Sequence, residues 1–99
     1  GDVAAVHSLR RGAAEALELI AHGDSKSSRV VGRRIEQIDL PEGAIIGALV
    51  RERVPGRAEV IIAHHDTVIE PDDHVIVFVA KRQMIPKVEK LFQVGVGFF

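Results

Sequence analysis

Three histidines and four carboxylates fall within sixteen positions of this chain, AHHDTVIEPDDHVIVF at residues 63–78. Imidazole nitrogens and carboxylate oxygens ligate zinc and other divalent cations, and the same groups act as general acids and bases. His64, His65, Asp66 and His74 are therefore the candidate metal ligands, and a small metal-dependent hydrolase is one reading of the chain. The spacing argues against it. Neighbouring side chains on a strand point to opposite faces, so His64 and His65 do not readily share an ion if they continue a strand through Val60–Ile62. His74 opens a different strand, and Glu70, Asp72 and Asp73 flank Pro71, where short polar side chains favour a turn by bonding nearby amides. The expectation is a sheet corner with no catalytic residue and no bound metal.

Other chemistries find less support. Ser8, Ser25, Ser27 and Ser28 lie outside any strand–turn–helix motif that would expose a nucleophile. GVG at residues 95–97 has no helix after it to aim amides at a phosphate. The pairs Arg10-Arg11 and Arg33-Arg34 are suited to an anion, but isolated arginine pairs more often lie along solvated surface.

The bulk properties narrow the classes further. The chain has 99 residues, enough for one domain, and 46% of them are hydrophobic, which is ordinary for a globular protein. Lys and Arg number 13 against 14 Asp and Glu, so no basic excess draws the chain to nucleic acid. Cysteine is absent, which removes disulfides and thiolate metal sites. No apolar run approaches the ~20 residues of a membrane helix, and GDVAAVHSLRRG lacks the layout of a signal peptide. That opening is abrupt, as if a longer chain had been cut.

The elements that would position these groups follow from periodicity. Val3–Val6 has the composition of a strand end. SLRRGAAEALELIAHG reads as a helix capped by Ser8 and closed by Gly23, or as a strand with Leu17, Leu19 and Ala21 on one face; periodicity leaves both open. Val31, Ile35 and Ile38 share one face of a short helix, which Pro41 and Gly43 stop. Ala44–Val50 is a buried strand in which Gly47 marks a close backbone approach. Pro55-Gly56 lies in a polar loop over residues 51–59 that leads to a strand at Val60–Ile62. A short Val68-Ile69 piece, a turn and a strand at Val75–Val79 come next, and Ile85, Val88, Leu91 and Phe92 form an amphipathic helix with Pro86 in its first turn. The expected fold is α+β: a small mixed, mainly antiparallel sheet of about four strands with two short helices.

VVGRRIEQIDLPEGAIIGALVR, IEPDDHVIVF and KVEKLFQ, in that order, resemble the regulatory C-terminal domains called RCK-C or TrkA-C. VAAVHSLRRGAAEALELIAHGD is similar to the stretch that leads into the last such domain of the family's potassium-uptake members. The resemblance departs from the family at Asp72, where a glycine is usual, and in a longer loop over residues 51–59. It implies that AEALELIAHG is the first sheet strand. It also implies that residues 1–12 are the end of an upstream nucleotide-binding domain or a linker, and that residues 13–99 are the regulatory domain. By the same resemblance the domain has no cofactor of its own, since NAD or ATP belongs to the upstream domain. It pairs as a homodimer in a cytoplasmic subunit that gates a membrane potassium transporter and associates with the inner membrane only through it, with no direct membrane insertion and no nucleic-acid partner. A ligand-sensing module of another cation transporter or antiporter shares these features. Ile35, Ile38, Ile45 and Ile46 are the candidate dimer or partner contacts, and Phe98 and Phe99 either fray or dock in an apolar groove.

Overall fold

Leu17 and Leu19 are fully buried while Ala16, Glu18 and Ile20 beside them stay half-exposed, so the ambiguous AEALELI segment is a strand. The computed structural model describes residues 3–9 and 14–95. It contains five strands: β1 (Val3–Leu9), β2 (Ala14–Ile20), β3 (Ala44–Val54), β4 (Arg57–Ile62) and β5 (His74–Val79). One helix follows them, α1 (Ile85–Phe92). The strands form one sheet in the order β1-β2-β5-β3-β4, and each of these pairings is antiparallel. The α+β class therefore stands, with five strands in place of about four and no parallel pair among the described residues. The fifth is β1, which runs antiparallel to β2 at the sheet's edge.

The helix expected over Val31–Ile38 is reduced to a single 3-10 turn at Ile35–Gln37. Tertiary hydrogen bonds compete for its amides: Ile35 N donates to the Thr67 carbonyl and Glu36 N to the His65 carbonyl, both at 2.9 Å. Arg34 stands in extended geometry and bridges Val68. Val31 and Ile38 nevertheless reach the core, so the apolar spacing served burial without a helix.

The β3–β4 hairpin is tighter than the sequence suggests. Both strands continue through the polar segment, leaving Pro55 and Gly56 as a two-residue turn. Gly56 has φ 80°, a left-handed geometry that glycine adopts without a Cβ clash. Gly47 coincides with a register shift between β3 and β5; the Ala63 amide donates to its carbonyl at 3.0 Å, and a Cβ there would meet the ring of Phe78.

One face of the sheet carries the core. Val75, Val77 and Val79 of β5 lie between Leu17 and Leu19 of β2 and Ile46 and Leu49 of β3. Val30, Val31, Ile38 and Ile69 from the connecting segments, with Val88 and Phe92 of α1, complete it. Eight residues are too few for a helix to persist alone, so α1 depends on that apolar stripe. The loop before the core is fixed locally. Asp24 accepts from the Lys26 and Ser27 amides, which holds its carboxyl below the usual carboxylate range. No helix among the described residues is long and apolar enough to cross a membrane.

Candidate functional site

The register of β3 turns Arg51 to the buried face, at a position where alternation would otherwise place an apolar side chain. The turn after Pro71 brings Asp73 beneath it. Asp73 is fully buried, and Arg51 donates to it through two nitrogens, Nε to Oδ1 and Nη2 to Oδ2, both at 2.8 Å. This fork geometry matches guanidinium to carboxylate and fixes both side chains. Hydrogen bonding to Asp73 raises the Arg51 pKa against the opposing effect of burial, so the guanidinium stays charged.

The pair also organises its surroundings. Arg51 Nη2 donates to the Val68 carbonyl at 3.0 Å, and Asp73 Oδ2 accepts the Glu70 amide at 2.8 Å, closing the turn. Asp72 within that turn has φ 67°, a conformation aspartate tolerates better than most residues. Glu70 Oε2 joins two arginines, lying 2.9 Å from Arg51 Nη1 and 3.0 Å from Arg53 Nη2. These groups line a cleft of about 610 Å³ between β3 and the turn, with Ala58 and His74 at its rim. Arg53 and Glu70 are partly exposed, so an anion entering the cleft would compete with Glu70 for Arg53. Arg51 was not singled out from the sequence as a site residue. Its signal was a charge in the apolar alternation of β3, but its partner lies 22 residues away.

The candidate metal ligands are dispersed. His64 and His65 follow β4 in a turn, where His64 N donates to Thr67 Oγ1 at 2.9 Å and Thr67 N returns to the His64 carbonyl. They do not continue the strand. His65 Nε2 faces Glu36 at 3.9 Å, and Asp66 is exposed in the same turn. His74 opens β5, with Nδ1 2.6 Å from Glu18 Oε2. Among the described residues no three His, Asp or Glu side chains converge as a metal cage.

The expected contact residues divide as well. Ile38 and Ile46 are in the core, Ile35 is half-buried, and Ile45 is open to solvent. Phe98 and Phe99 lie outside the described residues. Just before them, Gly95 N donates to the Ser27 carbonyl at 2.9 Å.

Ile45 belongs to the sheet face turned away from the core. Cross-strand registers align that face in three rows: Ile20, His74, Val50 and Val60; Glu18, Ile76, Ala48 and Ile62; Ala16, Phe78 and Ile45. Nine of these eleven side chains are apolar, and the two polar ones bond each other. Ile45, Val60 and Ile62 are 63–65% exposed.

Comparison with known proteins finds relatives along the whole chain. The TrkA-C domain family profile matches residues 25–93. The Trk system potassium uptake protein TrkA of Halomonas elongata is 61% identical over 99 residues, all of this chain and 21% of that protein. The protein of the same name from Vibrio alginolyticus is 54% identical over 93% of this chain and 19% of its own length. That of Haemophilus influenzae is 44% identical over 99% of this chain and 20% of its own length. The chain thus spans about a fifth of the length of these curated relatives.

Proposed function

The chain belongs to the TrkA-C domain family, and from that premise we propose that it is the regulatory and assembly domain of a subunit that gates a Trk-type potassium-uptake system. The observation that carries this reading is the 61% identity, across all 99 residues, to a protein named for potassium uptake. Such a domain works by association and not by bond-breaking. What supports this is that buried Arg51 and Asp73 bond each other and that His64, His65 and His74 do not converge among the described residues.

In this reading the domain has no cofactor of its own, and NAD or ATP binds a part of the longer protein outside this chain. The subunit is cytoplasmic, attached to the membrane through the transporter. The domain pairs with a second copy of itself. The cleft beside Arg53 and Glu70 favours a ligand-sensing role within the same reading, because an anion there would exchange with the Glu70 carboxylate.

Complementation tests the proposal. Full-length protein lacking this domain is expressed in cells that depend on it for growth at low external potassium. Potassium influx is expected to lose its normal regulation, with full-length protein as the control. Unchanged influx across the potassium range would overturn the reading.

A further inference from the structure

The cleft between β3 and the turn after Pro71 already holds an anion of the chain's own. We propose that the Glu70 carboxylate is a placeholder there for the phosphate group of a ligand, inorganic phosphate or a phosphate monoester. The proposal rests on the ligand-sensing reading above and names the chemical class that the site takes. Two guanidinium groups converge on a single oxygen, Glu70 Oε2, 2.9 Å from Arg51 Nη1 and 3.0 Å from Arg53 Nη2. Arg51 cannot turn away, because its fork to Asp73 fixes it. Glu70 is held less firmly. Its side chain is 45% exposed and bonds only these two arginines among the described residues. Its amide, not its carboxylate, closes the turn on Asp73, so the side chain can leave without opening the turn.

The backbone supplies a third donor. Ala63 N donates to the Gly47 carbonyl beside the Ala48–Ile62 pair, which fixes Leu49 and Arg51 as the β3 residues whose amides face β4. Val50 and Glu52 therefore face the other way. Val50 meets His74 there, but β5 begins at His74, so no strand stands opposite Glu52. The Glu52 N–H points toward the cleft with no backbone partner among the described residues. A planar carboxylate offers two oxygens to these three donor groups, whereas a phosphate monoester offers three and carries more negative charge. The cleft, at about 610 Å³, also leaves room for the organic part of an ester over Pro71 and Ala58. Two further carboxylates line it. Glu52 is engaged by the Gly56 amide at 3.2 Å, and the Asp72 side chain is 83% exposed and 3.9 Å from His22, so water screens its charge. Asp73 is neutralised by Arg51, and His74 at the rim is bonded to Glu18. Glu70 is thus the competitor, and the site inhibits itself until phosphate displaces that carboxylate.

Amide NMR of the isotope-labelled 99-residue chain, titrated with inorganic phosphate at an ionic strength held constant with chloride, tests the proposal. The Glu52, Arg53 and Glu70 amides are expected to shift saturably, with a midpoint on the order of 1–10 mM. Glu70→Gln removes the competing charge and should tighten binding about fivefold, where loss of an ordinary ligand-holding residue would weaken it. Glu70→Ala, which keeps the amide that closes the turn, gives the same readout if Glu70→Gln alters the fold. Arg53→Gln should weaken binding at least about fivefold, and Arg57→Gln, exposed and outside the cleft lining, should leave it unchanged. Glycerol 3-phosphate binding more tightly than phosphate would assign the cleft to an ester, and equal binding would assign it to phosphate alone. The absence of saturable shifts, or an unchanged or weaker midpoint in both Glu70 variants, would overturn the proposal. Succinate binding as tightly as phosphate would overturn the phosphate class and leave the ligand-sensing reading standing. Potassium influx on deletion of the domain is read separately. A chain that binds no phosphate, but whose deletion still deregulates influx, sinks this site and leaves the potassium reading intact.

Discussion

Arg51 and Asp73 set the residue-scale logic of this domain. A buried ion pair gains little over an apolar pair of the same shape, because desolvation offsets most of the attraction. Its removal by halves is a different matter. Arg51→Met leaves the fully buried Asp73 carboxylate without its guanidinium, and Asp73→Asn leaves Arg51 with one neutral partner in place of a charged one. Each is expected to cost about 3–5 kcal/mol. The double substitution should fall short of the sum by about 1–3 kcal/mol, because the second change removes a charge already stranded. Urea denaturation of the four proteins measures this coupling. Strict additivity would mean that the two side chains do not act as a unit.

At the scale of elements, the decisive feature is how little each holds itself. α1, the one α-helix among the described residues, has eight residues and no side-chain cap at its start, so its order comes from Val88 and Phe92 against the sheet. Phe92→Ala should therefore cost about 3–5 kcal/mol and lower helical circular dichroism before the sheet melts. A loss below 1 kcal/mol with the helix signal intact would refute that dependence. The strands behave similarly. AEALELI has helix-forming composition, yet its amides pair with β1 on one side and β5 on the other. Partners outside the segment override its propensity.

For the whole molecule, one covered face and one open face make an unequal object. β5 is paired on both sides, whereas β4 has one paired edge and mostly exposed side chains. Amide hydrogen exchange should therefore be slowest in β5 and β2 and markedly faster in β4. Mass-spectrometric exchange at low protein concentration checks the order. Protection of β4 equal to that of β5 would contradict it. Raising the concentration should slow exchange across β3 and β4 if two copies meet on the open face.

The amino-acid sequence by itself determined the class of the fold, the amphipathic α1 and the turn character of Glu70–Asp73, because these follow from spacing within a few residues. The family, too, is carried by linear motifs, from Val31-Gly32-Arg33 to Val50-Arg51 and on to Asp73 and Phe78. Three features needed the tertiary structure. The Val31–Ile38 segment gave up its helix because Thr67 and His65 carbonyls took the Ile35 and Glu36 amides. Arg51 found Asp73 across 22 residues, a pairing that no local pattern encodes. The open face arose when register set Ile45, Val60, Ile62 and Phe78 side by side from three strands. In the sequence those residues look like any other strand apolars. Period-2 alternation gives every strand two faces but does not say which one α1 and the loops will cover. That choice belongs to the packed molecule, since the face that receives Phe92 becomes the core and the other stays open.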